Sequence, residues 1–272
     1  MSERIAIPTS TVETMKHYFA AGKRIDERAL TEYRQLTITY DVSKAAEGAA
    51  RVKLGKTEVI VGVKLTLDKP YPDSPDKGNL LVSGDLLPLA SPRFEQGPPK
   101  FGAIELPRLV DRIIRESHVI ELDKLCVKKG EKVWTVIIDV YPLNDDGNLI
   151  DASVLGAITA LRQAYIPGLT EEGLVDYKHR TKTKVPLVKD CIPLSITCYK
   201  LGNTLFYDPT REEEEMSEVK YNVGLTKQGK EYHIHSSQKT GLTPFTQTEL
   251  VHCAQLLGEK YEELYEKVKK VL

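Results

Sequence analysis

Alternation of apolar and polar positions marks the first strands of the chain. Within residues 34–42, Leu36, Ile38, Tyr40 and Val42 fall on one side, and residues 59–67 repeat the same two-residue period. Turn-forming residues at 44–48 and 55–57 join these runs into an antiparallel meander. Residues 133–142, VWTVIIDVYP, form a nearly unbroken β-branched run, which predicts a buried strand ending at Pro142. Just beyond it, Val154, Leu155, Ile158, Leu161 and Tyr165 recur with the 3.6-residue period of a helix. Residues 133–162 therefore read as strand, loop and helix, and the other elements are arranged around them.

The remaining pattern supplies the flanking elements. Ser10 and Glu13 have the spacing of a capping box, followed by Val12, Met15 and Phe19 on one helical face and a stop at Gly22. A Pro- and Asp-rich loop covers residues 69–78, a strand covers 79–87, and a Pro- and Gly-rich loop at 91–102 leads into a helix over 103–117. After Pro167-Gly168 ends the central helix, residues 170–186 read as a charged connector. A second meander follows: strands at 192–201, 204–208, 221–226 and 231–236, with turns at Gly202-Asn203 and Gln228-Gly229. Thr246 and Glu249 form another capping box, opening a helix that buries Leu250, Ala254, Leu257, Tyr261, Leu264 and Val268.

Two faces of the 103–117 helix differ sharply. Leu106, Leu109, Val110, Ile113 and Ile114 make the apolar stripe, and Arg108, Arg112 and Arg115 share the other side. Pro107 is tolerated if it lies in the first turn. The plain reading pairs these arginines with Glu105, Asp111 and Glu116 on a solvated surface.

Composition narrows the classes. The 272 residues, 41% hydrophobic and 28% charged, describe an ordinary globular chain with one large core or two modest ones. A formal net charge of −1 argues against a generally basic nucleic-acid coat, so any nucleic-acid contact must be a local patch. No run suits a signal peptide or a membrane span, and a cytoplasmic chain without membrane contact is expected. Cys126, Cys191, Cys198 and Cys253 lack metal-binding spacing and read as buried reduced thiols.

Three features carry candidate chemistry. The loop before the central helix would suit a phosphate, but it carries Asp145, Asp146 and Asp151, which are expected to cap the helix and repel an anion. The acidic run at 208–218 contains Asp208 and Glu214, which could hold Mg²⁺ or act as acid and base. Its plainer meaning is a solvated loop of like charges. His233 and His235 share a strand face without a third ligand nearby, and Gly55, Gly62 and Gly84 fit no phosphate-binding motif.

Taken in order, KRIDER at 23–28, KTEVIVGVKL, FGAIELPRLVDRIIRES, IDVYPLNDDGNLIDASVLGAITAL and FYDPTREEEE resemble RNase PH-type proteins over nearly the whole chain. The set is similar to the non-catalytic RNase PH-like ring subunits of the archaeal exosome. The resemblance implies a two-lobed α/β (α+β) fold of ribosomal S5 domain 2-like type, each lobe a mixed sheet with packed helices. Its expected divisions are an N-terminal helix and extension at 1–30, a first lobe at 31–168, a connector at 169–190 and a second lobe at 191–272.

It further implies a heterodimer with a catalytic RNase PH-like subunit, three such pairs forming a hexameric ring, RNA-binding cap subunits on one face and single-stranded RNA as ligand. Active family members carry two aspartates six residues apart, where this chain has Asp208 and Glu214. They carry an arginine pair where it has Lys100, Phe101 and Gly102, and a Gly-Thr-Arg-like phosphate loop where it has Gly147, Asn148 and Leu149. The departures imply a chain with no catalytic residues and no cofactor, in which Asp208 and Glu214 are remnants and Arg108, Arg112 and Arg115 are the expected RNA ligands. The alternative is a phosphate-dependent 3′–5′ exoribonuclease that uses Asp208 and Glu214 with Mg²⁺.

Overall fold

The computed structural model describes residues 7–177, 179 and 181–269. Most of the extension expected ahead of the first helix (residues 1–6), Lys178 and Arg180 of the connector, and residues 270–272 lie outside the described residues. The first sheet holds β1 (Leu36–Tyr40), β2 (Gly48–Leu54), β3 (Thr57–Asp68), β4 (Asn79–Gly84), β5 (Cys126–Lys128) and β6 (Lys132–Asn144). Its order is β1-β2-β3-β6-β4, with β5 paired to the start of β6. All pairs are antiparallel except β4 with β6. Parallel neighbours need a long connection, and this one contains α2 (Phe101–Glu116).

The second sheet is built from β9 (Leu194–Leu201), β10 (Thr204–Tyr207), β11 (Val219–Gln228) and β12 (Glu231–Gly241), in the order β10-β9-β11-β12. A small hairpin of β7 (Gly168–Leu169) and β8 (Val175–Asp176) lies in the connector. The two-lobed α/β arrangement is as expected, but the second sheet is antiparallel throughout rather than mixed. Tight turns at Gly202 and Gly229, both with positive φ, make the β9–β10 and β11–β12 pairs antiparallel.

Between the sheets runs α3 (Leu149–Gln163), packed against β2 and β3 on one side and β9 on the other. Every residue from Leu149 to Leu161 is buried, so the expected apolar stripe is too narrow a description. A helix covered on all sides must be apolar or internally satisfied all round, and small residues let the backbones approach. A Cβ on Gly156 would stand 2.6 Å from Cγ2 of Val61. One cluster of buried side chains, including Val61, Val136, Ile158, Ile196 and Tyr261, spans both sheets. A satellite cluster of Met15, Phe19, Tyr199, Leu201, Phe206 and Met216 seats α1 (Thr9–Ala20) on β10.

Several boundaries differ from the sequence reading. At α1 the N-cap is Pro8, without a side-chain cap, so Ser10 and Glu13 lie inside the helix and form no capping box. Strand β4 stops at Gly84, short of Leu87, and α2 begins at Phe101, which places Pro107 beyond the first turn. Strand β6 passes through Pro142 to Asn144, with one extra residue between the pairs Glu58–Asn144 and Val59–Pro142. Pairing with β4 ends at Val140, so a residue without an N–H is accommodated beyond it.

Tyr165 falls after α3, and the outermost position of β1 leaves Tyr40 and Val42 exposed. The final helix, α5 (Gln247–Val268), keeps its Thr246–Glu249 capping box. Leu250 and Ala254 are exposed, however, and the buried line runs through Cys253, Leu257, Lys260, Tyr261, Leu264 and Val268. Among the described residues no helix is long and apolar enough to cross a membrane.

Candidate functional site

The loop ahead of α3 turns on two left-handed residues, Gly147 at φ 85° and Asn148 at φ 56°. The expected trio of capping, anion-repelling carboxylates is not what the fold makes. Asp145 is held by Arg93, with Nε 2.8 Å from Oδ2, and Asp146 lies 3.3 Å from Nη1 of Arg34. Asp151 is fully buried, accepting from the hydroxyls of Ser195 (2.7 Å), Thr197 (2.8 Å) and Tyr33 (3.2 Å) and from Nδ2 of Asn148 (3.1 Å). Burial pushes its pKa up to about 6, against the hydrogen bonds from Ser195, Thr197 and Asn148, which favour the carboxylate. None of the three caps the helix, because the chain bends so that arginines from other elements reach two of them and hydroxyls the third.

The carboxylate that does stand at the helix N-terminus is Glu214. The backbone N–H of Asn148 donates to Oε2 of Glu214 at 2.9 Å, and the Tyr199 hydroxyl reaches Oε1 at 3.4 Å. Free N–H groups and the helix dipole at such a terminus favour negative charge, and here an internal carboxylate supplies it. Glu214 is held there by α4 (Arg211–Met216), which starts at a Thr210–Glu213 capping box. The acidic run is thus a short, partly buried helix rather than a solvated loop.

Asp208 is likewise saturated. It is fully buried, in the left-handed region at φ 46°, and accepts from the Arg34 backbone N–H (2.7 Å), Arg34 Nε (2.9 Å) and Nη2 (2.8 Å), Asn148 Nδ2 (2.9 Å) and Arg28 Nη1 (3.3 Å). A carboxylate has about four lone-pair sites, and five donors occupy them. Arg24, also buried, donates to the carbonyls of Tyr207 (3.0 Å) and Asp208 (2.9 Å) and pairs with Glu213. Through Asn148, the fold brings Asp208, Glu214 and Asp151 together, but as one internally neutralised network. Asp208 has no coordination site free for a cation, Glu214 alone offers one carboxylate, and among the described residues no metal-ligating group is assembled around it, so this donor set does not fit Mg²⁺.

Sequence reasoning missed Arg24, Arg28, Arg34, Arg93 and Glu213 as members of this network. The only signal is the KRIDER segment, which carries Arg24 and Arg28 and stands out only as part of the family pattern. His235 meets the Thr226 hydroxyl at 2.7 Å, and burial, followed by the neighbouring His233, pulls its pKa down. Among the described residues no group of metal-ligating side chains is assembled.

On α2 the three arginines separate. Arg115 forks onto Asp111, at 2.6 and 3.0 Å, and also donates to the Leu80 carbonyl. Glu105 is taken by Lys220 and Thr240, at 2.8 Å each. Arg108 and Arg112 are exposed and have no hydrogen-bond or ion-pair partner among the described residues. The plain pairing therefore holds for Arg115 and fails for the other two. All three line a groove of about 650 Å³ between α2 and the free edge of β4, with Tyr71, Leu81 and Ile104 on its walls. A separate cleft of about 250 Å³ lies over the α3 N-terminus; its carboxylates Glu95, Glu105 and Glu215 are paired with Lys100, Lys220 and Arg93 of the same lining, beside Asp85 and Glu214.

Two α/β lobes sharing one core, with an aspartate and a second carboxylate beside the central helix, define an RNase PH-type protein. The chain belongs to the 3′ exoribonuclease (RNase PH) family, whose domain 1 matches residues 32–167 and domain 2 residues 191–256. It is 43% identical over 264 residues to exosome complex component Rrp42 of Methanosarcina acetivorans, covering 97% of this chain and 94% of the relative. The protein of the same name from Methanothermobacter thermautotrophicus is 39% identical over 265 residues, covering 97% and 96%. A chain of the Archaeoglobus fulgidus exosome with RNA bound to the active site superposes with a TM-score of 0.85 at 37% identity, covering 95% of this chain and 98% of that one. Rice Rrp46, at 16% identity and a TM-score of 0.61, shares the fold.

Proposed function

We propose that the chain is a non-catalytic ring subunit of an exosome-type complex that degrades RNA from its 3′ end. The observation that carries this is the saturation of Asp208 by Arg34, Arg28 and Asn148, together with Glu214 seated on the helix terminus. Phosphorolysis needs a bound phosphate and a carboxylate pair or metal, and here Asp208 is taken up by the chain's own donors while the Glu214 carboxylate stands where the phosphate would. The role fits the relatives, which are named as exosome components. In this reading a catalytic RNase PH-like subunit is the partner, three heterodimers close a hexameric ring in the cytoplasm, and RNA-binding cap subunits sit on one face. The lobes at 31–168 and 191–272, joined by the connector at 169–190, form the body of the subunit.

Arg108 and Arg112 are the RNA ligands of this chain, contacting the phosphates of a single strand beside the partner's catalytic centre. Their forks are unoccupied and suit phosphate oxygens. Arg115 contributes less, because a phosphate must compete with Asp111. Two phosphate contacts on a single strand give a salt slope of about −1.4, roughly a sevenfold loss of affinity between 50 and 200 mM salt.

The test is the assembled heterodimer with Arg108→Ala and Arg112→Ala combined. RNA affinity and decay rate are expected to fall and the salt slope to flatten, whereas Arg115→Ala changes them little. Unchanged affinity and decay in the double variant would leave a spacer with no RNA contact. Incubating the isolated chain with oligo(A), phosphate and Mg²⁺ addresses the catalytic alternative. Nucleoside diphosphate release that disappears with Asp208→Ala would overturn the non-catalytic reading.

A further inference from the structure

Three of the four cysteines are buried, and two of them meet. Sγ of Cys198, on the interior strand β9, lies 3.2 Å from Sγ of Cys253, in the second turn of α5. Nothing in the RNA-binding role uses this contact. Two sulfurs sharing a Zn²⁺ at about 2.3 Å each would stand nearly 4 Å apart in a tetrahedral site, and no third ligand is assembled around them among the described residues. The separation is too short for a metal bridge and exceeds a covalent bond of about 2.05 Å by only about 1.2 Å.

We infer that Cys198 and Cys253 form an intramolecular disulfide, a redox-dependent staple between the C-terminal helix and the second sheet, when the chain meets a small-molecule disulfide such as oxidised glutathione. One protein thiolate attacks the glutathione disulfide, forming a mixed disulfide and releasing one reduced glutathione. The second protein thiolate then attacks the protein sulfur of that intermediate and expels the second glutathione. Each protein thiol gives up its proton, the protein loses two electrons, and the glutathione disulfide gains them.

The pair is arranged for this order of events. The contact with Cys198 holds the pKa of Cys253 below its usual value despite burial, while the contact with Cys253 and burial raise the pKa of Cys198. Cys253 is therefore the attacking sulfur and Cys198 the resolving one. Cys253 also lies near the start of α5, beside the exposed Leu250 and Val251. The link would close a loop of 55 residues, which moves the unfolding equilibrium about a thousandfold toward the folded state in the chain-entropy account.

The experiment is to refold the full chain from urea in a buffer of oxidised and reduced glutathione, trap remaining thiols with an alkylating agent, and map the products by mass spectrometry. The expected product has lost two hydrogens, yields a peptide cross-linked between Cys198 and Cys253, and unfolds at higher urea than the reduced chain by the equivalent of about a thousandfold. Cys198→Ser and Cys253→Ser each abolish the product and the shift, whereas Cys191→Ser leaves both. The same mapping on native chain held in that buffer without unfolding covers a failure to refold. Free thiols at both positions, a stable glutathione adduct on either, or a link to Cys191 or Cys126 instead would each overturn the inference.

Discussion

Asp208→Asn separates a structural carboxylate from a chemical one. The side chain keeps its shape but loses its charge, and one oxygen that accepted from arginine becomes an NH₂ facing donors. Arg34 and Arg28 are then left with reduced compensation in a pocket where Asp208 is fully buried and Arg34 nearly so. Breaking a buried ion pair from one side costs about 3–5 kcal/mol. A domain's whole stability is about 5–15 kcal/mol, so the variant is expected to lose a fifth or more of it. The assay is urea unfolding of the purified chain followed by far-ultraviolet circular dichroism, comparing midpoints at constant slope.

A metal-binding or catalytic Asp208 predicts the opposite pattern. Carboxylates kept for a cation strain the empty fold, so their neutralisation leaves stability unchanged or improved, and Mg²⁺ should stabilise the unaltered chain. A midpoint within about 0.5 kcal/mol of the original, the scatter expected of a neutral surface change, together with Mg²⁺ stabilisation lost in the variant, would refute the argument.

Two further outcomes follow from the same network. Asp151 has its pKa raised by burial to about 6, above the usual 3.8, so the folded chain retains a proton that the unfolded chain has released. Its contribution is fully present below pH 3.8 and is lost as pH rises through about 6, an amplitude on the order of 3 kcal/mol. Asp151→Asn should remove that component from the pH profile of the urea midpoint; parallel profiles for the two chains would contradict it. Gly147→Ala places a Cβ 2.6 Å from the Pro209 carbonyl oxygen at a positive φ. It should cost about 1–3 kcal/mol from backbone strain alone, read as a lowered melting temperature, and a melt unchanged by the substitution would count against the close approach of the two loops.

Much of the architecture was legible because periodicity reports burial. The strand-loop-helix at the centre, the second meander and the capping box at Thr246 all emerged from local patterns. The failures share a cause as well. The apolar stripe of α3 understates its burial because Ala, Gly, Ser and Thr carry little hydrophobic signal, although between two sheets they are what permits close packing. Pro142 did not end its strand, because where β4 stops pairing the ladder no longer needs its missing donor.

Charge was the least legible property. Asp145, Asp146 and Asp151 read as a repulsive cluster, because their partners Arg93, Arg34, Ser195 and Thr197 lie far away in sequence. In the same way Arg108, Arg112 and Arg115 are equivalent by spacing, and only the packed fold shows that Asp111 occupies Arg115 alone. By itself the sequence determined which segments are strands and helices, the family pattern they spell, and that the phosphate loop lacks its cationic residues. Those are properties of neighbours along the chain. Only the tertiary structure decided which charges are neutralised, that Glu214 fills the helix terminus, and which two sulfurs meet, because each depends on groups that folding alone brings within a few ångströms.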